Sequence, residues 1–229
     1  AKGAVGFHEP GEHRRDQLVG RDRRSPGLGC ERGGIGDEIA MHGGWEPVGR
    51  RPFGPQTKGL KDCASFEEFY GVYKTHLDFY AEAQAKFEAY EYKKTGELHP
   101  FMFVSMLYDG CCESGKAIFD GGCRSYNGTL ELYGVINAAD SLVAIRELVF
   151  EKKLIGAERL LEILRLNFMG CERERKLMMD CPKYGNDDEI ADAMAVGLQK
   201  YLCEKIIEQA PKAGLDSYFA VIINNAQNT

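Results

Sequence analysis

Residues Gly121 to Lys153, GGCRSYNGTLELYGVINAADSLVAIRELVFEKK, run a Gly-rich polar turn into an amphipathic helix, and this order constrains the fold more than any other feature of the chain. Paired glycines free the backbone for an abrupt change of direction. Leu142, Ile145, Leu148 and Val149 then recur at helical spacing, so one face of the helix needs a buried partner. Asn137, with Asp140 three residues on, is expected to cap that helix. A chain of 229 residues with 44% apolar residues is long enough to supply the partner layer.

Other segments carry the same periodicity. DEIAMHGGWEPVGRRPFGPQTKG, from Asp37, reads as the end of a helix, a Gly43-Gly44 stop and a Pro/Gly-punctuated loop. Ser65 and Glu68 form a capping box. Phe66, Tyr70, Tyr73, Leu77, Tyr80 and Phe87 then mark one face of a long helix expected to end near Gly96. After His99-Pro100, the apolar run Phe101 to Leu107 predicts a buried helix or strand. Leu160, Leu161, Leu164 and Phe168 predict a further helix with Gly170 as its C-cap. Asn186 with Glu189 is expected to open a last long helix through Ile190, Met194, Leu198, Tyr201 and Ile206, and SYFAVIINN reads as a buried strand.

A formal net charge of -6 argues against nucleic acid or an anionic membrane as the default partner. No apolar run approaches the roughly 20 residues of a membrane span, and no signal pattern stands at the start, so a soluble cytoplasmic protein is expected. Eight cysteines occur without a CxxC pair or zinc-like spacing, which points to reduced thiols and no metal site. Cys111-Cys112 reads as a structural pair at a helix end. Residues 1–36 differ in kind: nine glycines, six arginines and a single aromatic, Phe7, predict an irregular lead, part of which (about 11–36) reads like an out-of-frame stretch. Residues 37–229 form the periodic domain.

The blocks Gly121 to Lys153 and Pro182 to Val196 (PKYGNDDEIADAMAV), in that order, resemble the glycyl radical enzymes, the family of pyruvate formate-lyase and the radical diol dehydratases. The resemblance implies an α/β fold, here a helix-rich partial slice of a ten-stranded α/β barrel. It also implies radical cleavage of a C–C or C–O bond in a small metabolite, with a slight lean towards a dehydratase. No bound cofactor is implied in the chain itself. The family works through a protein glycyl radical installed by an activase that uses S-adenosylmethionine and an iron–sulfur cluster, and the full-length form is implied to be a homodimer.

Residue by residue the resemblance is uneven. The family's radical cysteine loop reads Gly-Cys-x-Glu-Pro, and this chain offers Gly6-Phe7-His8-Glu9-Pro10, so Phe7 occupies the place of the radical cysteine and Glu9 that of the general base. Nothing resembles the Arg-Val-x-Gly-Tyr glycyl loop, and the chain is expected to be an interior slice of a longer enzyme. The turn from Gly121 to Gly128 resembles a family segment facing the barrel cavity, which makes Asn127 and Glu131 the candidates for substrate contact. Loop hydrogen bonding is the competing reading of those two side chains. At the level of the whole chain, the alternative is a non-catalytic helical scaffold or binding protein derived from the family.

Overall fold

The computed structural model describes residues 38–222, apart from positions 48 and 50. Phe7, Glu9 and the irregular lead lie outside the described residues. A helix ends at residue 41, and Gly43 and Gly44 follow with φ of 65° and 96°, the left-handed values that glycine adopts without strain. Trp45–Glu46 (β1) and Arg51–Pro52 (β2) pair as a short antiparallel hairpin.

Phe66–Leu98 forms the long helix α1. Ser65 caps it, its Oγ accepting the Glu68 amide at 3.2 Å. The return half of the capping box is displaced by one residue, because the Glu68 carboxylate accepts from Ala64 N at 2.7 Å. Phe66, Phe69, Tyr73, Leu77 and Tyr80 are buried, whereas Tyr70 is half-buried and Phe87 is exposed. The helix runs past Gly96 because that glycine answers a packing need: a Cβ there would lie 2.4 Å from the Phe119 carbonyl oxygen. The stop comes at His99-Pro100, where the ring of Pro100 cannot continue the helix.

Two one-turn helices follow, Met102–Ser105 (α2) and Cys111–Ser114 (α3), and then a wide turn over Ile118–Gly122. The expected burial of Phe101 to Leu107 is not found: Phe103 is 72% and Leu107 73% exposed. A single helical turn that is apolar on every side cannot cover all its faces. The residue it buries is Ser105, whose hydroxyl accepts from Ile118 N at 2.9 Å and lies 3.1 Å from the Pro100 carbonyl.

Strand β3 (Asn127–Leu132) leads into α4 (Val135–Ile145) and a wider helical turn, Arg146–Glu151. Gly134, at φ 74°, stands at the start of α4, so Asn137 is not its cap. Asp140 lies within the helix and reaches out to accept from Tyr184 N at 2.9 Å. Leu142, Ile145 and Leu148 are buried as the spacing requires. Helix α5 (Ala157–Arg165) ends before Asn167 and Phe168, both at positive φ, so Gly170 lies beyond it and is not its C-cap.

After α6 (Glu172–Met179), the last long helix, α7 (Glu189–Ala213), is capped by Asp188 and not by Asn186: the Asp188 carboxylate accepts from Ile190 N and Ala191 N. Strand β4 (Ser217–Ile222) lies parallel to β3, with Asn127 opposite Ser217, Thr129 opposite Phe219 and Glu131 opposite Val221. Helix α7 packs against β4, α1 and α4, while α1 also meets β3, and the core runs from Phe69 and Tyr73 through Leu142 to Leu198 and Ile206.

Candidate functional site

Side chains alternate across a strand, and the helices cover one face of the β3–β4 sheet. Gly128, Leu130, Leu132 and Tyr218 point down into the core, and Asn127, Thr129, Glu131, Phe219 and Val221 stand on the opposite, exposed face. Ser217–Ile222, the described part of SYFAVIINN, is therefore a strand buried on one side, with Phe219 52% exposed. Among the described residues nothing covers that face. It carries a polar row on β3 beside an apolar row on β4.

Asn127 is held from several directions. Its carboxamide oxygen accepts from the hydroxyls of Ser125, at 3.1 Å, and of Ser217. Its main-chain carbonyl accepts from the Tyr92 hydroxyl at 2.9 Å. Glu131 accepts from the Tyr133 hydroxyl at 3.2 Å. The Asp216 carboxylate accepts from Tyr126 N, and Asp216 N donates back to the Tyr126 carbonyl, which ties the start of β4 to the start of β3.

Beside β3 opens a concavity of about 590 Å³ lined by Gln84, Glu88, Tyr92, His99, Phe119 and Thr129, among others. Of the three outward residues of β3 it is Thr129 that lines it, with Asn127 and Glu131 flanking on the same face. Sequence reasoning passed over Thr129. Its signal lay in the alternation Asn-Gly-Thr-Leu-Glu-Leu, which puts residues 127, 129 and 131 on one side of a strand. Burial, and then the hydrogen bond with Glu88, push the Tyr92 phenol well above its ordinary range, so it remains a proton donor.

A second concavity, about 410 Å³, adjoins Lys61, Cys63, Phe66, Phe150 and Lys153. Burial, followed by the charge of Glu68, raises the Cys63 thiol above its ordinary value. It stays protonated, a poor nucleophile. Cys111 is buried and Cys112 exposed, and no described cysteine forms a disulfide. No cluster of potential metal ligands occurs among the described residues.

A family model described as pyruvate formate lyase-like matches residues 38–223. Trans-4-hydroxy-L-proline dehydratase of Clostridioides difficile is 31% identical over 156 residues, 68% of this chain and 20% of the dehydratase. Probable dehydratase YbiW of Escherichia coli (strain K12) is 31% identical over 182 residues, 76% of this chain and 22% of that protein. Among solved structures, hydroxyproline dehydratase from C. difficile with trans-4-hydroxy-L-proline bound superposes with a TM-score of 0.74 at 26% identity, over 82% of this chain and 24% of that one. The glycerol-bound B12-independent glycerol dehydratase from Clostridium butyricum gives 0.72 at 25% identity, over 81% and 23%. The fold is thus a helix-rich slice of a glycyl radical enzyme barrel. The chain belongs to the pyruvate formate lyase-like family of glycyl radical enzymes. It spans between a fifth and a quarter of the length of these relatives.

Proposed function

We propose that this chain forms part of the wall of a glycyl radical dehydratase or lyase, with the helix-free face of β3 and β4 turned towards a small hydroxylated metabolite whose C–O or C–C bond is cleaved. The observation that carries this reading is the division of the sheet into one face buried under helices and one bearing Asn127, Thr129 and Glu131, in a chain whose relatives include dehydratases. Four residues along a strand cover roughly 13 Å, so Asn127 and Glu131 are too far apart to touch the same functional group. Asn127 with Thr129, or Thr129 with Glu131, is the pair that grips one small molecule.

The radical chemistry needs a thiol, and no described cysteine stands on this face. Hydrogen abstraction is accordingly assigned to no residue here. These side chains bind and orient. Glu9 is proposed as the general base by its place in Gly6-Phe7-His8-Glu9-Pro10, with Phe7 in the radical cysteine's position; both belong to the proposal and not to the described structure. A glycyl radical, an S-adenosylmethionine and iron–sulfur activase, a homodimeric full-length form and a cytoplasmic setting complete it.

The test is a chimaera in which residues 38–222 replace the matched segment of the hydroxyproline dehydratase. Turnover is expected to persist in the chimaera, and Asn127→Ala or Thr129→Val should lower kcat/KM by about tenfold, the loss of one good hydrogen bond to substrate. An active chimaera indifferent to both substitutions would show that the face does not meet substrate.

A further inference from the structure

Strand β3 pairs with β4 on one side, and its other edge meets side chains of α1. Thr129 N donates to Glu88 Oε1 at 3.3 Å. The Tyr92 hydroxyl lies 2.9 Å from both the Asn127 carbonyl oxygen and Glu88 Oε1, so its one proton is shared between two acceptors. Glu88 and Tyr92 are four residues apart on one helix face, and the Asn127 carbonyl and Thr129 amide are two residues apart on one strand edge. Helix and strand periods coincide there. Two side chains thereby occupy one carbonyl and one amide of that strand edge, Asn127 O and Thr129 N.

The approach depends on Gly128. A Cβ at that position would lie 3.0 Å from Glu88 Cδ and 2.6 Å from Tyr218 Cδ2. The Tyr92 ring is itself fixed, stacked on Phe119 at 5.1 Å and tilted against Tyr126 at 6.3 Å. A slip of one residue along β3 would send Asn127, Thr129 and Glu131 into the core and bring Leu130 and Leu132 to the surface.

We infer that Glu88 and Tyr92 are positioning residues, which hold the Asn127–Thr129 stretch of β3 and lock its register so that Asn127 and Thr129 face substrate; the last clause rests on the function proposed above. Neither residue is required to touch substrate.

The experiment is site-resolved amide exchange by NMR on the labelled chain. Glu88→Ala should raise exchange of the Thr129 amide about tenfold, the free energy of one hydrogen bond, while the Leu198 amide in the core of α7 keeps its rate. Glu88→Gln, which retains an acceptor oxygen, should restore protection. Tyr92→Phe should shift the Asn127 carbonyl carbon resonance upfield with the stacking intact. If Glu88→Ala does not fold, the Glu88→Gln and Tyr92→Phe spectra decide. Unchanged Thr129 exchange in folded Glu88→Ala, or an unmoved Asn127 carbonyl in Tyr92→Phe, overturns the cap. In the dehydratase chimaera, the effects of Glu88→Ala and Asn127→Ala should fail to add. An intact cap with turnover indifferent to both leaves the edge assignment standing and removes its link to substrate.

Discussion

The helices beneath the sheet and the segment from Pro100 to Gly122 are both rich in large apolar residues, yet they end up on opposite sides of the water boundary. In α1, α4 and α7 the apolar residues recur every three or four positions, so each helix turns one stripe towards the others, and Tyr73, Leu142, Leu198 and Ile206 are almost wholly buried. In Phe101 to Tyr108 seven of eight residues are large and apolar with no period, and all seven are exposed. Hydrophobicity supplies the drive to leave water. Periodicity supplies the geometry by which a neighbour can satisfy it, and only the first region has both.

The comparison can be broken from the core side first. Leu198→Ala empties a fully buried site on α7 and should cost about 3 kcal/mol, within the usual range for a buried leucine, read as a lowered urea midpoint. Gly128→Ala should follow at about 2 kcal/mol, since the new methyl meets the Tyr218 ring and forces the strands apart; an unaltered midpoint would show that the sheet tolerates displacement. His76 supplies a third, pH-dependent effect. It is fully buried, its Nε2 lies 2.9 Å from Thr57 Oγ1, and its Nδ1 has no hydrogen-bond partner. Burial holds its pKa below the ordinary 6.5. The neutral ring is thus favoured in the folded state, and its contribution is full above pH 6.5 and lost as pH falls through the depressed value. Urea midpoints at pH 7.5 and pH 5 should converge more closely in His76→Gln than in the native chain. Phe103→Ser comes last. In the exposed segment it should move the midpoint by less than about 0.5 kcal/mol, while reducing light scattering at high concentration because an apolar patch has been broken.

How much of this the sequence disclosed depends on how local the cause is. The long helices and the β4 strand follow from spacing within a window: Tyr73, Leu77, Leu142, Leu198 and Ile206 are buried as the spacing requires, whereas Phe87, Ile190, Phe219 and Val221 stand exposed. Caps were less legible. Asn137 and Asn186 have the right chemistry, but Gly134 and Asp188 hold the positions, and a cap is decided by where the backbone turns and not by which polar residue stands nearby. Gly96 shows the same limit, because the reason for a glycine in mid-helix is a carbonyl from Phe119, which no window around residue 96 contains. Of the site, Asn127 and Glu131 came from the resemblance. Thr129 was within reach of simple alternation, whereas Glu88 and Tyr92 acquire their roles only when α1 lies against β3.

The pairing of β3 with β4 joins residues 90 positions apart, Asn127 with Ser217. During synthesis on a ribosome, β3 therefore emerges and waits with one edge unmatched until four helices and the start of β4 have followed it out. Loop closure over that length is slow compared with helix formation. The face bearing Asn127 and Glu131 is thus among the last features of residues 38–222 to form, and any cut or stall between residues 133 and 216 removes it while leaving α1 free to form.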